Sequence, residues 1–130
     1  LARAFVASGL SAQVGDALTT VAALPVFAMM LLLALAVTFL TEATSNTATT
    51  ALLMPVLAAV ALAVEIDPLW LMVPAAMSAS CAFMLPVATA PNAVVVGSGE
   101  LPIRRMGREG FALNLIGALL IATVAWVLLT

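Results

Sequence analysis

Histidine and tyrosine are missing from these 130 residues, cysteine occurs once, and charge is scarce, with four Lys+Arg against six Asp+Glu. Each shortage closes a class of function. Without His, and with Cys81 alone, the usual soft-metal sites lack ligands and no internal disulfide can form. Few basic residues and a net charge of −2 argue against nucleic acid as a partner. A soluble domain of this size needs many more charges to cover its surface. What the chain has instead is 65% hydrophobic residues and a mean hydropathy of +1.29. That is a membrane protein's composition, because a spanning helix needs only about 20 mostly apolar residues. The first residue is Leu1, and residues 1–18 carry neither a basic n-region nor a small-residue cleavage site, so the chain reads as a fragment without a signal peptide.

Residues 1–18 space Leu1, Phe5, Leu10, Val14 and Leu18 among small and polar residues, the pattern of an amphipathic interfacial helix. Two uncharged runs follow, Val21 to Leu40 and Ala48 to Val64, the second closed by Glu65 and Asp67. A third, Pro68 to Val96, has 29 uncharged residues. As one straight helix it would be about 43 Å long against a hydrocarbon core of about 30 Å. It is expected to break at residues 86–91, where Pro86 and Pro91 would free the carbonyls of Ala82 and Val87. Residues 98–110 hold Arg104, Arg105 and Arg108 and read as a cytoplasmic loop; 111–130 form the last span, with Trp126 and Trp70 at the outer interface.

Between the first two runs lies Thr41-Glu42-Ala43-Thr44-Ser45-Asn46-Thr47-Ala48-Thr49-Thr50. Hydrocarbon offers no hydrogen-bond partners, so this cluster is either a turn at the membrane surface or a buried tip satisfied by protein, ion or ligand. Hydropathy leaves open whether the flanking runs are two full spans or a re-entrant hairpin. In a buried tip, one helix points carbonyls and the next points amides at the same place, with Ser45 or Asn46 as N-cap. Carbonyls suit sodium, and amides with hydroxyls suit a carboxylate or sulfate. The stretch Leu85–Asn92 repeats the arrangement, with Thr89 as hydroxyl and Pro91 at a favoured first helical position. Two broken elements with polar tips are the pattern of a transporter site at mid-membrane. Each polar residue also has a plainer reading: Thr49 and Thr50 bonding back to carbonyls one turn earlier, and Glu42 serving backbone amides or an Arg outside the chain.

On Thr41–Thr47 followed by ATTALLMPV, and on MLPVATAPNAVVVGSG from Met84 to Gly99, the sequence resembles the divalent anion/sodium symporter family of sodium-coupled dicarboxylate and citrate transporters. The resemblance implies an all-α membrane protein with a re-entrant helical hairpin over 19–66 (tip 41–47) and a broken transmembrane helix over 67–97. This would be half of an inverted-repeat transporter whose N-terminal repeat lies outside the chain. Carried over by motif, Asn46, Thr47, Thr89 and Ser45 would contact the substrate anion, and Thr41, Thr44, Asn46 and Ala88 would bind sodium. Ala90 stands where many members have a proline, and Val96 where an aromatic is frequent. The implied function is uptake of a di- or tricarboxylate such as succinate, malate or fumarate, coupled to Na+, through the inner (plasma) membrane, by a homodimer that is no enzyme.

Two alternatives stand beside it: a sulfate or oxyanion symporter, since amides and hydroxyls hold either anion without Arg, and a helical membrane subunit that only packs against partners. A hydrolase using Ser45 or Asp16 ranks last, because Ser45 has no base beside it.

Overall fold

The structure, a computed structural model, describes residues 24–129; the helix expected over 1–18 lies outside the described residues. Among them are five helices and no strand: α1 (Val26–Thr41), α2 (Asn46–Ala63), α3 (Leu69–Ser78), α4 (Ala90–Gly97) and α5 (Ile103–Leu129). Pro25 precedes α1, where its missing N–H costs nothing. A four-residue turn, 42–45, reverses the chain into α2, so the two helices run antiparallel.

Helix directions follow from the ring contacts. Phe27 at the start of α1 meets Trp126 near the end of α5, with centroids 6.1 Å apart and rings at 78°. Phe39 near the end of α1 meets Phe111 near the start of α5, at 5.7 Å. The two helices are therefore antiparallel along their whole contact. Trp70 at the start of α3 packs against the Met30, Ala122 and Ala125 cluster, as do Val26, Phe27 and Leu129, and Ala79 just after α3 accepts from Thr41, so α3 runs parallel to α1 and brings its C-terminal end to the 42–45 turn. Both Trp side chains lie at the end of the bundle opposite that turn. On α5 the buried positions Gly110, Asn114, Ala118, Ala122 and Ala125 form one stripe. Their small size lets α1 and α3 approach closely.

A second core cluster joins Met29 and Val37 of α1, Leu57 and Ala61 of α2, and Leu71 and Ala75 of α3. Outside these clusters the helices are apolar; Leu52, Leu62, Val94, Leu120 and Leu128 are each more than half exposed. Only α2 and α5 among the described helices are long and apolar enough to cross a membrane. α5, with 27 residues, is about 40 Å long.

Three boundaries differ from the sequence expectation. The third run leaves the helix after Ser78, so the non-helical stretch is 79–89 rather than 86–91. The cause is tertiary, since the amides of Phe83, Met84 and Leu85 are taken by Glu42, as described below. The segment 98–110 is not a loop throughout: helix resumes at Ile103, just after Pro102, and carries all three of its arginines in the first turns of α5. Finally, the turn occupies 42–45, with Thr41 and Asn46 already helical. α2 ends in a Schellman motif, with Ile66 N bonded to Ala61 O and Glu65 N to Leu62 O. Glu65 takes the left-handed position usually given to Gly, at φ 56°.

Candidate functional site

The turn after α1 and the non-helical stretch before α4 face each other across an open cavity of about 470 Å³, lined by residues 42–47 and 87–89. A second opening of about 390 Å³ lies on the other side of the α2 N-terminus and shares Asn46 and Thr47 with the first. No Lys or Arg lines either opening. An anion held here must therefore be bound by dipoles and hydroxyls.

Local chemistry explains the tip. Ser45 is extended (φ −67°, ψ 131°) and caps α2, its hydroxyl oxygen accepting from Ala48 N at 3.4 Å. Thr89, also extended, caps α4 by accepting from Asn92 N at 3.3 Å. Because each cap uses the oxygen as acceptor, each hydroxyl proton is left to donate. By helix geometry α2 also keeps the amides of Asn46 and Thr47 unpaired within the helix. α4 keeps fewer, because Pro91 has no N–H. The α2 end is thus the stronger anion donor of the two.

Thr44 is arranged the opposite way. Its hydroxyl donates to Leu40 O at 2.9 Å, so in the 2.6 Å contact with Thr49 Oγ1 the donor is Thr49. Thr44 Oγ1 has no further proton to give and can only accept, the chemistry of a cation ligand. Thr49 therefore bonds Thr44 rather than a carbonyl of its own helix, whereas Thr50 does bond back, to Asn46 O at 2.9 Å. The Thr41 hydroxyl is fully buried, within reach of Ala79 O (2.9 Å) and Asn46 Oδ1 (2.7 Å). One proton cannot serve both acceptors. Asn46 either accepts it and turns its amide NH2 outward, or donates to Thr41 and turns its carbonyl outward. Asn46 can therefore face either an anion or a cation.

Six of the seven residues singled out in the sequence, Thr44, Ser45, Asn46, Thr47, Ala88 and Thr89, line the larger cavity. Thr41 does not; it sits behind the wall and ties the hairpin to the end of α3 through Ala79.

The other wall is tied to Glu42, for which the sequence left backbone amides or an outside Arg as partners, and to Asn114, Asn92 and Gly110, to which it gave no role. Glu42, only 5% exposed, accepts from Phe83 N (2.7 Å) and Met84 N (2.9 Å) at Oε1 and from Leu85 N (3.0 Å) at Oε2. Asn114 of α5, fully buried, donates to the same Oε1 at 2.7 Å. Three successive amides aimed at one point form an anion-binding concavity, and its occupant is the protein's own carboxylate. On the carbonyl side, Asn92 Nδ2 donates to Ala82 O (2.9 Å) and Leu85 O (3.0 Å). The Ala82 carbonyl, expected free on account of Pro86, is thereby satisfied. Gly110 admits the stretch against α5: a Cβ there would lie 2.5 Å from Phe83 C and 2.7 Å from Met84 Cα, inside any real contact distance. The available signals were the lone buried-run acid, the Asn after Pro91, and the spacing of Gly107, Gly110, Asn114 and Gly117 on one helix face.

Comparison with known proteins gives a consistent picture. The family described as sodium:sulfate symporter transmembrane region matches residues 1–130. The sodium-dependent dicarboxylate transporter SdcS of Staphylococcus saprophyticus is 44% identical over 128 residues, 98% of this chain and 25% of that protein. Solute carrier family 13 member 2 is 50% identical over 121 residues in Mus musculus (93% of this chain, 21% of that protein) and 47% over 122 residues in Homo sapiens (94% and 21%). The chain therefore spans a quarter or less of the length of these relatives.

Proposed function

This chain belongs to the sodium:sulfate symporter transmembrane region family, and from that premise we propose that it is the C-terminal part of a sodium-coupled transporter for di- or tricarboxylates. The observation that carries the reading is the cavity itself. Two capped helix N-termini, α2 and α4, open onto one space that has hydroxyl protons to donate and no cationic side chain. A substrate carboxylate sits against the amides of Asn46 and Thr47 and the hydroxyls of Ser45 and Thr89. Sodium sits on the acceptor side, against Thr44 Oγ1, the Asn46 carbonyl and backbone oxygens near Thr41 and Ala88. The name of the Staphylococcus saprophyticus relative, a sodium-dependent dicarboxylate transporter, supports the pairing of sodium with a dicarboxylate.

In this reading α1, with 16 residues, and α2 form a re-entrant hairpin whose tip lies at mid-membrane, and α3, the 79–89 stretch and α4 form the broken helix facing it. Helix macrodipoles then bring the carbonyl end of α1 and the amide ends of α2 and α4 to one depth. Of the two hairpin helices, α2 is long and apolar enough to cross, whereas α1 has only 16 residues, fewer than the roughly 20 of a full span, and this supports a hairpin over two crossings. The N-terminal repeat of the same protein completes the site, and the whole works as a homodimer in the plasma membrane, with the arginine-bearing start of α5 cytoplasmic. In the full-length protein, sodium-dependent succinate uptake collapses for Asn46→Ala; unchanged uptake with unchanged sodium dependence contradicts the assignment.

A second reading, sulfate as substrate, is favoured by the family description alone. Sulfate in excess over labelled succinate decides it: the dicarboxylate reading predicts little inhibition, whereas strong mutual competition makes the site an oxyanion site.

A further inference from the structure

The structure assigns to Glu42 the role of positioning residue for the binding cavity: its carboxylate locks the 79–89 stretch to the hairpin tip, so that the two walls form one preorganised unit. The inference rests on the proposed transport function for its kinetic test, but its geometry stands alone. Glu42 immediately follows α1, where the carbonyl end of the helix disfavours a negative charge. A nearly buried carboxylate in that position needs strong donors, and it has four: three consecutive amides from residues 41 to 43 positions away and the Asn114 side chain. Hydrogen bonds to an ionised group are the strong class. They hold the backbone to within two residues of Val87 and three of Ala88 in the cavity wall, while Glu42 itself is two residues before Thr44 of the opposite wall. A single side chain thus fixes the spacing across which sodium and anion are bound.

Length and charge of the side chain are separable. Glu42→Gln keeps the length but removes the charge, and its NH2 group sets a donor against either the Leu85 amide or the amides of Phe83 and Met84. Glu42→Asp keeps the charge but is one methylene short of its three amides. Positioning predicts that both variants of the full-length protein, reconstituted in liposomes and normalised to folded protein, raise the sodium concentration for half-maximal uptake and the succinate KM by about tenfold or more. A purely electrostatic role spares Glu42→Asp, and a purely structural role lowers yield without moving either constant; both results overturn the proposal. Hydrogen exchange of the peptide containing 83–85 supplies the second readout. Faster exchange in both variants, with α5 unchanged, is expected; unaltered protection overturns the proposal even if the wild-type protein transports a different solute or none. Absence of sodium-dependent uptake by the wild-type protein would instead count against the proposed function, and the exchange result would then decide the role of Glu42 by itself.

Discussion

The two walls of the cavity are built by opposite strategies. Apart from Glu42, the tip, 42–45, is held by its own neighbours: Thr44 to Leu40 and Ser45 to Ala48 span four and three residues. The 79–89 stretch is held mainly from farther away, by Glu42, which Asn114 braces, by Asn92 seven and ten residues along the chain, and by a close approach to Gly110. Losing one local bond leaves the others of the tip in place. Losing one distant support releases several backbone groups at once, as the three amides gathered on Glu42 show. The first wall is a property of a short sequence, and the second is a property of the fold.

Substitutions separate the two strategies. The largest effect is expected from Gly110→Val, whose side chain overlaps the backbone of Phe83 and Met84. Rigid backbone cannot yield as a flexible side chain can, so destabilisation of about 3 kcal/mol or more is expected, read as loss of folded protein in detergent and a fall in thermal midpoint. Asn92→Ala comes next. It strips the Ala82 and Leu85 carbonyls of their shared donor, at about 1–3 kcal/mol, and a thermal-shift comparison with wild type reads the loss. Ser45→Ala removes a single local cap, with a stability cost of about 1 kcal/mol; since the same hydroxyl faces the cavity, succinate KM should rise more than stability falls. An Asn92→Ala protein no less stable than the Ser45→Ala protein would erase the distinction between the walls.

The smallest effect lies outside both walls. Glu65 occupies the left-handed position after α2, exposed and at φ 56°. Glycine takes that conformation without a Cβ clash, so Glu65→Gly should stabilise by about 1 kcal/mol and leave uptake unchanged. A lowered thermal midpoint would mean that Glu65 makes a contact worth more than its backbone strain.

The same contrast decides what was legible in the sequence. The tip is readable because its determinants are adjacent: Ser45 or Asn46 in a polar knot marks an N-cap, which the structure gives to Ser45, and an apolar run on each side marks two helices. Pro91 likewise announced the start of α4. The place where α3 ends was not readable, because nothing between Ser78 and Leu85 breaks a helix by itself; the partner that captures residues 83–85 lies some forty positions upstream. Glu42 was visible as an acid in need of a partner, with backbone amides as one of two options, yet which amides could not be named. Gly110 falls in the loop expected over 98–110 and Asn114 in the last span expected over 111–130, neither with a role that the sequence assigns. Charge makes the arginine segment read as a loop, whereas a helix starts at Ile103, directly after Pro102, whose carbonyl accepts from Met106 N.

Whether the space between the two walls holds anion and sodium together is read out by thiol accessibility across it. In the full-length protein freed of other reactive thiols, Thr47→Cys and Thr89→Cys place a label on opposite walls. Succinate with sodium should slow modification at both positions, and succinate with choline in place of sodium should slow neither. Protection at one wall only, or protection independent of sodium, would contradict a shared site.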